Sequence, residues 1–397
     1  MERGNAALRS WILDRIRARG PIPFVEYMDA ALYHPGLGYY CRPGMTTGPA
    51  GDFYTSPDLH PAFGLLLSRQ IAELADRTAR EADVPFHIVE AGPGTGRLAR
   101  DIIAGLSCER PELARRTVYT LVEVSPALRD VQRKTIGDHA VADVVWASWH
   151  DVLEGRHRGA ARFHGCVLAN EFLDALPVHL IEWRDGALKE VHVASEGDDF
   201  REELRDAGNA RLSGHIEGLT AEGVRFVEGQ RAEIGLRALD WVASLGRLFG
   251  REGAGGAILI DYGHSARELY DAGRHRGTLL CYHKHQVYDD PYARVGEQDM
   301  TAHVDFTSVA RSAIRAGFDT APPATQLRFL VSHGLAHMVA ELAARRDQGV
   351  RGVAEKLALH GLMAPGGMGE VFKVMLLARG TEASALTGTK DPFRCPA

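Results

Sequence analysis

Short apolar segments alternate with helix-like segments between residues 86 and 177, and no other feature constrains the fold as strongly. The apolar segments read "HIVEA", "VYTLVEV", "DVVWAS" and "GCVLANEFLD", and "GRLARDIIAGL" and "PALRDVQRKTI" lie between the first three. Strands that alternate with helices pair in parallel, because each helix returns the chain to the same end of the sheet. We therefore predict an α/β fold with a mostly parallel sheet covered by helices.

Other patterns flank and interrupt this alternation and divide the chain into five predicted parts. The parts are 1–85, an N-terminal helix with an aromatic, glycine-rich lid; 86–177, a Rossmann-like core; 178–254, a hairpin and helical insertion; 255–380, the remaining core strands with helical elements on the substrate side; and 381–397, a tail. Asp185-Gly186 lies between two short alternating runs and predicts a β-hairpin. A long helix is predicted from Phe226 to Phe249.

The fourth of these parts contains further predicted elements. "GGAILIDYG" predicts a buried strand, and "EVFKVMLLAR" predicts the last strand. Helices are predicted for "MTAHVDFTSVARSAIRAG", "FLVSHGLAHMVAELAARR" and "VAEKLALHGL".

Composition excludes several classes of protein. A formal net charge of −6 provides no basic field, so binding to nucleic acid is not expected. The five cysteines contain no CxxC pair, which argues against a disulfide framework or a zinc knuckle and favours a reducing compartment. No apolar run is long enough to insert into a membrane, and no secretory signal is seen. We expect a cytoplasmic protein.

The amphipathic, arginine-rich "RSWILDRIRARGPI" leaves two interpretations open. It has the composition of a mitochondrial presequence, in which case the protein would belong to the mitochondrial matrix of a eukaryote. Asp14 interrupts this pattern and Gly20-Pro21 ends it, as in an ordinary surface helix, which is the interpretation that we favour.

The first strand and helix of the alternation are joined by a glycine turn, "VEAGPGTGRLARD", at Val89–Asp101. A dinucleotide-binding turn has the spacing G-x-G-x-x-G, whereas here Arg97 occupies the position of the third glycine. Glu90 at the end of the strand would repel a phosphate but could pair with an ammonium group. S-adenosylmethionine carries an ammonium and a sulfonium group and no phosphate, so the pattern suits this cofactor better.

Polar residues also follow the next three strands, which places a ligand site at the carboxyl edge of the sheet. Glu123 could accept hydrogen bonds from both hydroxyl groups of a ribose. Asp151 could accept one from the adenine amino group, and Trp149 or Val152 could flank the ring. The fourth strand ends in Asn170-Glu171.

The sequence resembles the MidA family of S-adenosylmethionine-dependent methyltransferases over about residues 21–377. The motifs are "HPGLGYY", "GDFYTSPDL", "EAGPGTGRL", "EVSPAL", "NEFLDALPV", "IDYG", "TLLCYHKH" and "TAHVDF". Two segments depart from the family pattern: "GPGTGRL", where arginine often precedes glycine-threonine, and "DLHPAFG", where the family often has Glu-Ile-Ser-Gln. The first departure retains the turn, and the second affects contacts with the substrate.

This resemblance implies a class I methyltransferase fold, S-adenosyl-L-methionine as cofactor, and symmetric dimethylation of an arginine side chain on a partner protein such as a subunit of respiratory complex I. A homodimer is also possible. Two alternatives remain: an O- or N-methyltransferase acting on a small natural product or peptide, and a cofactor-binding assembly chaperone. The predicted cofactor-binding residues are Gly51, Asp52, Tyr54, Glu90, Gly92, Gly94, Gly96, Glu123, Val124, Ser125, Asp151, Val152 and Asn170.

Carboxylates are the predicted partners of a guanidinium acceptor, because they bind its planar donors and can help to remove a proton. Glu171 and Asp174 are three residues apart, so both would face the same side of a helix that begins there. Asp174 could instead be a first-turn acid that caps the helix. The further predicted catalytic residues are Asp261, Tyr262, His303 and Asp305, for which a buried hydrogen-bond network is the alternative.

Two other segments are expected near the site. Gly51 and Asp52 lie in a turn-rich aromatic stretch that could close over the cofactor as a lid or form a rigid cover. His283 and His285 have the spacing of metal ligands, but the nearby sequence offers no third ligand. We expect these two histidines to line or support the acceptor pocket and predict no metal site.

Overall fold

The computed structural model describes residues 3–44, 48, 51–52, 54–79, 84–137, 141–156, 162–344, 349–363 and 366–392. Its helices are α1 (Ala6–Arg19), α2 (Phe24–Tyr33), α3 (Ser56–Leu59), α4 (Ala62–Thr78), α5 (Arg97–Glu109), α6 (Pro111–Arg115), α7 (Pro126–Ile136), α8 (Trp149–Leu153), α9 (Ala210–Ala221), α10 (Leu236–Phe249), α11 (Ala266–Leu269), α12 (Phe306–Arg315), α13 (Gln326–Ser332), α14 (Leu335–Ala344), α15 (Gly349–Gly361) and α16 (Met368–Val371). None of the helices in these ranges combines the length and apolarity needed to cross a bilayer.

The strands are β1 (Ile22–Pro23), β2 (Phe86–Ala91), β3 (Thr117–Val122), β4 (Asp143–Ala147), β5 (His164–Asn170), β6 (His179–Arg184), β7 (Ala187–Glu196), β8 (Asp199–Asp206), β9 (Arg231–Ile234), β10 (Ala254–His264), β11 (Leu280–His283), β12 (Gln286–Tyr288), β13 (Asp299–Thr301), β14 (Val304–Asp305), β15 (Asp319–Thr320), β16 (Ala324–Thr325) and β17 (Phe372–Arg379). Two 3₁₀ turns follow at Ala383–Ala385 and Thr387–Thr389.

The large sheet has the strand order β15-β17-β10-β5-β2-β3-β4. The five strands from β10 to β4 pair in parallel, and β17 pairs with β10 in the antiparallel direction. Every residue of β2 is buried, as expected for a central strand that is covered on both faces. The predicted mostly parallel α/β sheet is therefore confirmed.

Helices pack on both faces of the large sheet. On one face, apolar residues of α4, α5 and α13 pack with strand residues such as Ile88 and Leu168. On the other face, α10 and α12 pack against strand residues such as Val89 and Val167. Because neighbouring residues of a strand point to opposite faces, each strand contributes to both layers.

A second, antiparallel sheet contains β1, β7, β6 and β9, with β8 paired to β7. The predicted hairpin is β6–β7, and its turn residues Asp185 and Gly186 both have positive φ, at 56° and 70°. This is the geometry for which the Asp-Gly pair is selected in two-residue hairpins. Apolar residues of α1 and α2 pack on this sheet, so the N-terminal segment and the insertion share one core.

Three helix predictions are corrected by the structure. The helix predicted from Phe226 begins only at Leu236, because residues 231–234 form β9 and pair with β6. The helix predicted from Met300 begins at Phe306, after two short strands. The segment that starts at Phe329 is two helices, α13 and α14, separated at His333-Gly334, where Gly334 has a φ of 104°.

Candidate functional site

A cavity of about 310 Å³ opens at the carboxyl ends of β2, β3 and β5. Its wall is formed by Tyr33, Tyr40, Thr55, Pro57, Asp58, Glu90, Gly92, Pro93, Gly94, Thr95, Arg97, Leu98, Val122, Glu123, Val124, Leu128, Trp149, Asn170, Glu171, Phe172, Ala175, Leu176 and Trp241. Open α/β sheets bind ligands at this edge, because the loops that leave parallel strands meet there. This cavity is therefore the candidate site.

The glycine turn between β2 and α5 forms one side of the cavity. Gly92, Gly94 and Gly96 all have positive φ, at 66°, 51° and 81°, a region that other residues rarely adopt. A Cβ atom on Gly96 would lie 3.2 Å from the Cα of Gln132, so this glycine permits close packing of α5 on α7. Gly96 thus has the packing role of the last glycine in a nucleotide-binding turn, although Arg97 follows it.

Glu90 lies at the end of β2 and is only 2% exposed. Its Oε2 accepts a hydrogen bond of 2.7 Å from the hydroxyl group of Tyr119. Burial raises the pKa of Glu90 to about 7, and the tyrosine bond opposes this shift. A cation in the cavity would favour the ionised form of this carboxyl group.

Glu123 follows β3 and is held in one orientation by two donors. Its Oε1 accepts from the backbone N–H of Ser125 at 2.8 Å, and its Oε2 accepts from Nε2 of Gln132 at 3.0 Å. Burial raises its pKa, and these hydrogen bonds oppose the shift. Each carboxylate oxygen has a second lone pair, so both could still accept a hydroxyl group from a ligand. Ser125 itself caps α7, and Val124 presents an apolar, 62% exposed side chain beside the cavity.

Arg97 contributes the guanidinium group of the cavity wall, and among its described residues there is no other Lys or Arg. Its Nη1 lies 2.9 Å from Oδ1 of Asp58. Oδ2 of Asp58 accepts from the N–H and the hydroxyl group of Thr55, which completes the cap of α3. Arg97 therefore joins the glycine turn to α3, and 37% of its side chain remains exposed.

An aromatic wall closes another side of the cavity. The ring centroid of Trp241, on α10, lies 5.1 Å from those of both Trp149 and Phe172.

Two predicted cofactor-binding residues, Asp151 and Val152, do not line the cavity. Asp151 caps α8 through Ser148 and pairs with Arg156, while Val152 is buried in the core. Asp151, which the sequence predicted to accept a hydrogen bond from the adenine amino group, thus belongs to the capping box of α8.

Asn170 and Glu171 lie at the end of β5 and line the cavity. No helix begins there, which corrects the expectation that Glu171 and Asp174 share a helix face. Glu171 has a φ of 51°, which is unusual for a residue other than glycine and is a feature that clusters at functional sites. Its Oε1 accepts from Nδ2 of Asn170 at 3.2 Å and from the N–H of Ser56 at 3.3 Å.

Burial is the main cause that raises the pKa of Glu171 to about 8, and the charge of Asp174 adds to it. At neutral pH the Glu171 carboxyl group is therefore mostly protonated. The Oδ1 of Asn170 is buried and has no hydrogen-bond partner among the residues that the structure describes. An unpaired buried acceptor beside a cavity is suited to a donor from a ligand.

Asp174, Asp261 and Tyr262 form a network behind the cavity wall. Oδ2 of Asp261 accepts from the backbone N–H groups of Leu173 at 3.0 Å and of Asp174 at 3.2 Å. The hydroxyl group of Tyr262 donates to the carboxylate of Asp174. Burial raises the pKa of Asp174 to about 6 and raises that of Asp261 well above its ordinary value. These three side chains lie near the site without lining it.

His303 and Asp305 lie at a separate small cavity of about 30 Å³. Asp305 caps α12 by accepting from the N–H groups of Thr307 and Ser308, a structural role. Burial lowers the pKa of His303 to about 4, so this histidine is neutral at physiological pH. The structure does not bring these two predicted catalytic residues to the cofactor edge.

Asp52 fastens the aromatic segment to the turn between β11 and β12. Its side chain accepts from the hydroxyl group of Tyr39 at 2.9 Å and from the N–H of Lys284 at 2.7 Å, and its carbonyl oxygen accepts from the N–H of His285. Tyr54 stacks on His285 at 4.8 Å. The backbone N–H of Gly51 donates to the carbonyl oxygen of Gly48 at 2.8 Å. Gly51, Asp52 and Tyr54 therefore lie outside the cavity wall, and parts of this segment, such as Phe53, lie outside the described residues.

His283 binds the carbonyl oxygen of Glu297 through Nδ1, at 2.8 Å. Within the described parts of the chain, no three His, Cys, Asp or Glu side chains are grouped closely enough to hold a metal ion. Four cysteines are free thiols, and Cys395 lies outside the described residues.

Sequence reasoning missed several residues of the cavity wall. Tyr33 and Tyr40 belong to the turn-rich segment whose aromatic composition was noticed, but their side chains could not be assigned to a site. Arg97 was noticed only as a departure from a glycine pattern. Trp241 lies on a helix whose amphipathic pattern accounts equally well for an ordinary core residue.

Comparison with known proteins identifies the family. Residues 66–324, more than half of the chain, match the model of a family described as "Putative S-adenosyl-L-methionine-dependent methyltransferase". The relatives include a protein arginine methyltransferase NDUFAF7 homolog, mitochondrial, of Drosophila melanogaster, which is 31% identical over 80% of this chain and 72% of its own length. The protein arginine methyltransferase NDUFAF7, mitochondrial, of Danio rerio is 29% identical over 93% of this chain and 86% of its own length.

A crystal structure of a Burkholderia thailandensis protein bound to S-adenosyl-homocysteine is similar over 96% of this chain and 94% of that chain, with a TM-score of 0.81 and 31% identity. The similarity therefore covers nearly the whole chain. Together with the family match, it confirms the class I methyltransferase fold and the resemblance inferred from the motifs. The chain belongs to this family of S-adenosylmethionine-dependent methyltransferases.

Proposed function

We propose that the protein transfers methyl groups from S-adenosylmethionine to an arginine side chain of a partner protein, giving symmetric dimethylarginine. The observation that carries this proposal is the composition of the cavity wall. The wall places four carboxyl groups, of Asp58, Glu90, Glu123 and Glu171, around one guanidinium group, that of Arg97. Such a surface is suited to a cationic nucleoside with one carboxylate and to a cationic acceptor.

The polar side chains of the cavity wall can be matched with the polar parts of the cofactor. We propose that Arg97 pairs with the methionine carboxylate, and that Oδ1 of Asn170 and the carboxylate of Glu90 accept from the ammonium group. Glu123 would accept from the ribose hydroxyl groups, because two donors already hold it in place. Val124 and Trp149 would flank the adenine ring. These proposed roles are those predicted from the sequence for Glu90, Glu123, Val124 and Asn170.

The bound cofactor supplies an electrophilic methyl group on a sulfonium. The protein then has to hold one acceptor nitrogen in line with that methyl group and to receive its proton. Glu171 lines the cavity, and a bound cationic acceptor favours its ionised form. We propose that the Glu171 carboxylate then accepts this proton, because its pKa of about 8 favours the protonated form once charge is lost from the acceptor. As the new N–C bond forms, the S–C bond breaks with its electron pair remaining on sulfur.

The relatives favour a protein acceptor, since two of them are named protein arginine methyltransferases and span most of this chain. The two alternatives from the sequence are a small-molecule acceptor and an assembly chaperone with little turnover. No feature of the cavity wall favours either alternative over methylation of a protein.

One experiment separates these possibilities. The purified protein is incubated with S-adenosylmethionine labelled on the methyl group and with a lysate of its host, and the label is followed into protein and into small molecules. We expect label in protein, released by hydrolysis as symmetric dimethylarginine. The Glu171→Gln variant should bind S-adenosylhomocysteine normally and lose at least 100-fold in rate, whereas Glu217→Gln, an exposed acid on α9, should match the wild type. Label only in small molecules would refute the proposed acceptor.

A protein substrate is the expected partner, and we also propose a homodimer, which sedimentation velocity would test. The expected compartment is the cytoplasm of a bacterial cell, or the mitochondrial matrix if the host is a eukaryote. Imaging of a fusion protein in the host would distinguish the two.

A further inference from the structure

Glu171 lines one end of the cavity, and three buried carboxyl groups lie behind the wall there; we call these four groups the acidic cluster: Glu171, Asp174, Asp261 and Asp299. Asp174, Asp261 and Asp299 are each at most 4% exposed. The charge of Asp174 raises the pKa of each of the other three members, so all three lie within electrostatic reach of Asp174. Clustering of like charges is costly, so a reason for it is required.

Asp299 is the member that the sequence did not single out. Its Oδ1 accepts from the hydroxyl group of Tyr40 at 2.7 Å and from the N–H of Met300 at 2.9 Å. Burial raises its pKa to about 7, and Asp174 contributes to the shift. Asp299 thus lies directly behind Tyr40, a residue of the cavity wall.

Asp174 carries the observation that points to a missing positive group. Its Oδ1 is buried, and no group in the described parts of the chain donates a hydrogen bond to it; the residue as a whole is 4% exposed. Its backbone carbonyl oxygen is satisfied by the N–H of Ala302 at 3.0 Å. A buried carboxylate oxygen without a donor is unfavourable unless some other positive group compensates for it.

No such group is provided by the described residues. Among them, no Lys or Arg side chain forms an ion pair or a hydrogen bond with a member of the acidic cluster. Arg42 approaches this region, but it is 3.2 Å from Asp52 and pairs with that residue. The described residues therefore supply no positive side chain that would favour ionisation of the acidic cluster.

Tyr33 and Tyr40 connect the acidic cluster to the cavity. Their rings stack with centroids 5.3 Å apart, and both line the cavity wall. The hydroxyl group of Tyr33 donates to the carbonyl oxygen of Ala175, which also lines the wall. The faces of tyrosine rings attract flat cations such as guanidinium.

We propose that the end of the cavity bounded by Tyr33, Tyr40 and Glu171 receives the side-chain cation of the acceptor, and that Asp174 and Asp299 select a charged acceptor over a neutral one. This inference rests on the proposed arginine methylation. Glu171 contacts the acceptor, whereas Asp174 and Asp299 act through the wall by their charge. Both are positioning residues, and their removal should change acceptor affinity more than cofactor affinity.

The test uses two small probes and the whole protein saturated with S-adenosylhomocysteine. The probes are N-acetyl-arginine N-methylamide and its citrulline counterpart, which has nearly the same shape without the charge. Ligand-observed NMR gives the two dissociation constants. We expect the wild type to bind the arginine probe at least tenfold more tightly than the citrulline probe.

Asp299→Asn is the variant of choice, because its Oδ1 can still accept from Tyr40 and Met300. We expect this variant to reduce the preference for arginine at least fivefold and to leave the affinity for S-adenosylhomocysteine unchanged. Asp174→Asn should act in the same direction, since its amide can occupy the position of the unpartnered Oδ1. The matched control, Glu217→Gln, removes one negative charge from an exposed helix position and should retain the full preference.

Each outcome decides the inference. Equal binding of the two probes by the wild type overturns it, as does an unchanged preference in a folded Asp299→Asn and a folded Asp174→Asn. A different result would refute the proposed function: the protein would then bind the cofactor but place no label on protein arginine. If label does enter arginine while both variants keep the wild-type preference, only the selection by the acidic cluster is refuted.

Discussion

Glu171→Gln should stabilise the protein without ligand at alkaline pH, while it impairs the reaction. In the folded protein, burial raises the pKa of Glu171 from 4.5 to about 8, so the folded state resists ionisation that the unfolded state undergoes freely. The contribution of Glu171 to stability is therefore greatest below pH 4.5 and is lost as the pH rises toward 8, since the unfolded state then binds fewer protons at this group than the folded state does. Glutamine removes this titration and can retain both hydrogen bonds to Oε1, from Asn170 and Ser56.

The size of the effect follows from the shift in pKa. At about 1.4 kcal/mol per pKa unit, a rise from 4.5 to about 8 lowers the free energy of unfolding by about 4 kcal/mol between pH 5 and pH 8.5. Part of the Glu171 side chain faces the cavity, where water can relieve some of this cost. Between pH 5 and pH 8.5, we therefore expect the free energy of unfolding of the variant to rise by at least about 2 kcal/mol relative to that of the wild type.

The assay is equilibrium unfolding in urea at pH 5 and pH 8.5, followed by tryptophan fluorescence and circular dichroism together to detect intermediates. Glu217→Gln serves as the control, because an exposed carboxylate on α9 should give the same difference at both pH values. A constant difference between Glu171→Gln and the wild type at the two pH values would refute the reasoning. It would mean that the carboxyl group of Glu171 ionises in the folded protein as readily as in the unfolded chain.

Three further variants test the cofactor edge by calorimetry and unfolding. Arg97→Gln should weaken S-adenosylhomocysteine binding at least tenfold, about 1.4 kcal/mol, and should leave the weaker binding of adenosine unchanged, because adenosine has no carboxylate to pair with Arg97. Equal losses for the two ligands would instead indicate that releasing Asp58 disturbs the whole edge. Glu123→Gln should weaken both ligands at least tenfold, since both present ribose hydroxyl groups; unchanged adenosine affinity would place the ribose elsewhere. Gly92→Ala should lower the free energy of unfolding by about 1 to 3 kcal/mol, because its φ is 66° and a Cβ atom would lie 2.9 Å from Cδ2 of Phe172; urea unfolding equal to that of the wild type would contradict this.

The parallel core and the hairpin could be predicted because their signals are local. Alternation of strands and helices specifies parallel pairing, and Asp185-Gly186 has a preference for positive φ that belongs to the residues themselves. β9 was missed because its partner, β6, is about 50 residues away and because a helical pattern follows it directly. The division into five parts remains a prediction, although α1 and α2 share a core with the insertion.

The cofactor edge was predictable for the same reason. Glu90, Glu123 and Asn170 each end a strand, and the ends of parallel strands meet at one edge whatever the rest of the chain does. The end of the cavity that we propose for the acceptor was not predictable, because it depends on contacts between distant segments. Tyr33 reaches the carbonyl oxygen of Ala175, 142 residues away, and Tyr40 reaches Asp299, 259 residues away. No short pattern encodes such a contact.

Burial of carboxyl groups is what joins stability to function in this molecule. Burial raises the pKa values of Glu90, Glu171 and Asp299 to about 7 or 8, so each carboxyl group is at least partly protonated at neutral pH. A ligand cation favours ionisation of these groups and must therefore displace protons as it binds. A neutral ligand of the same shape gains no such electrostatic free energy from these groups. The cavity should therefore distinguish ligands by charge more strongly than by size. Burial of these acids destabilises the free folded protein, and a cation bound in the cavity should offset part of this destabilisation.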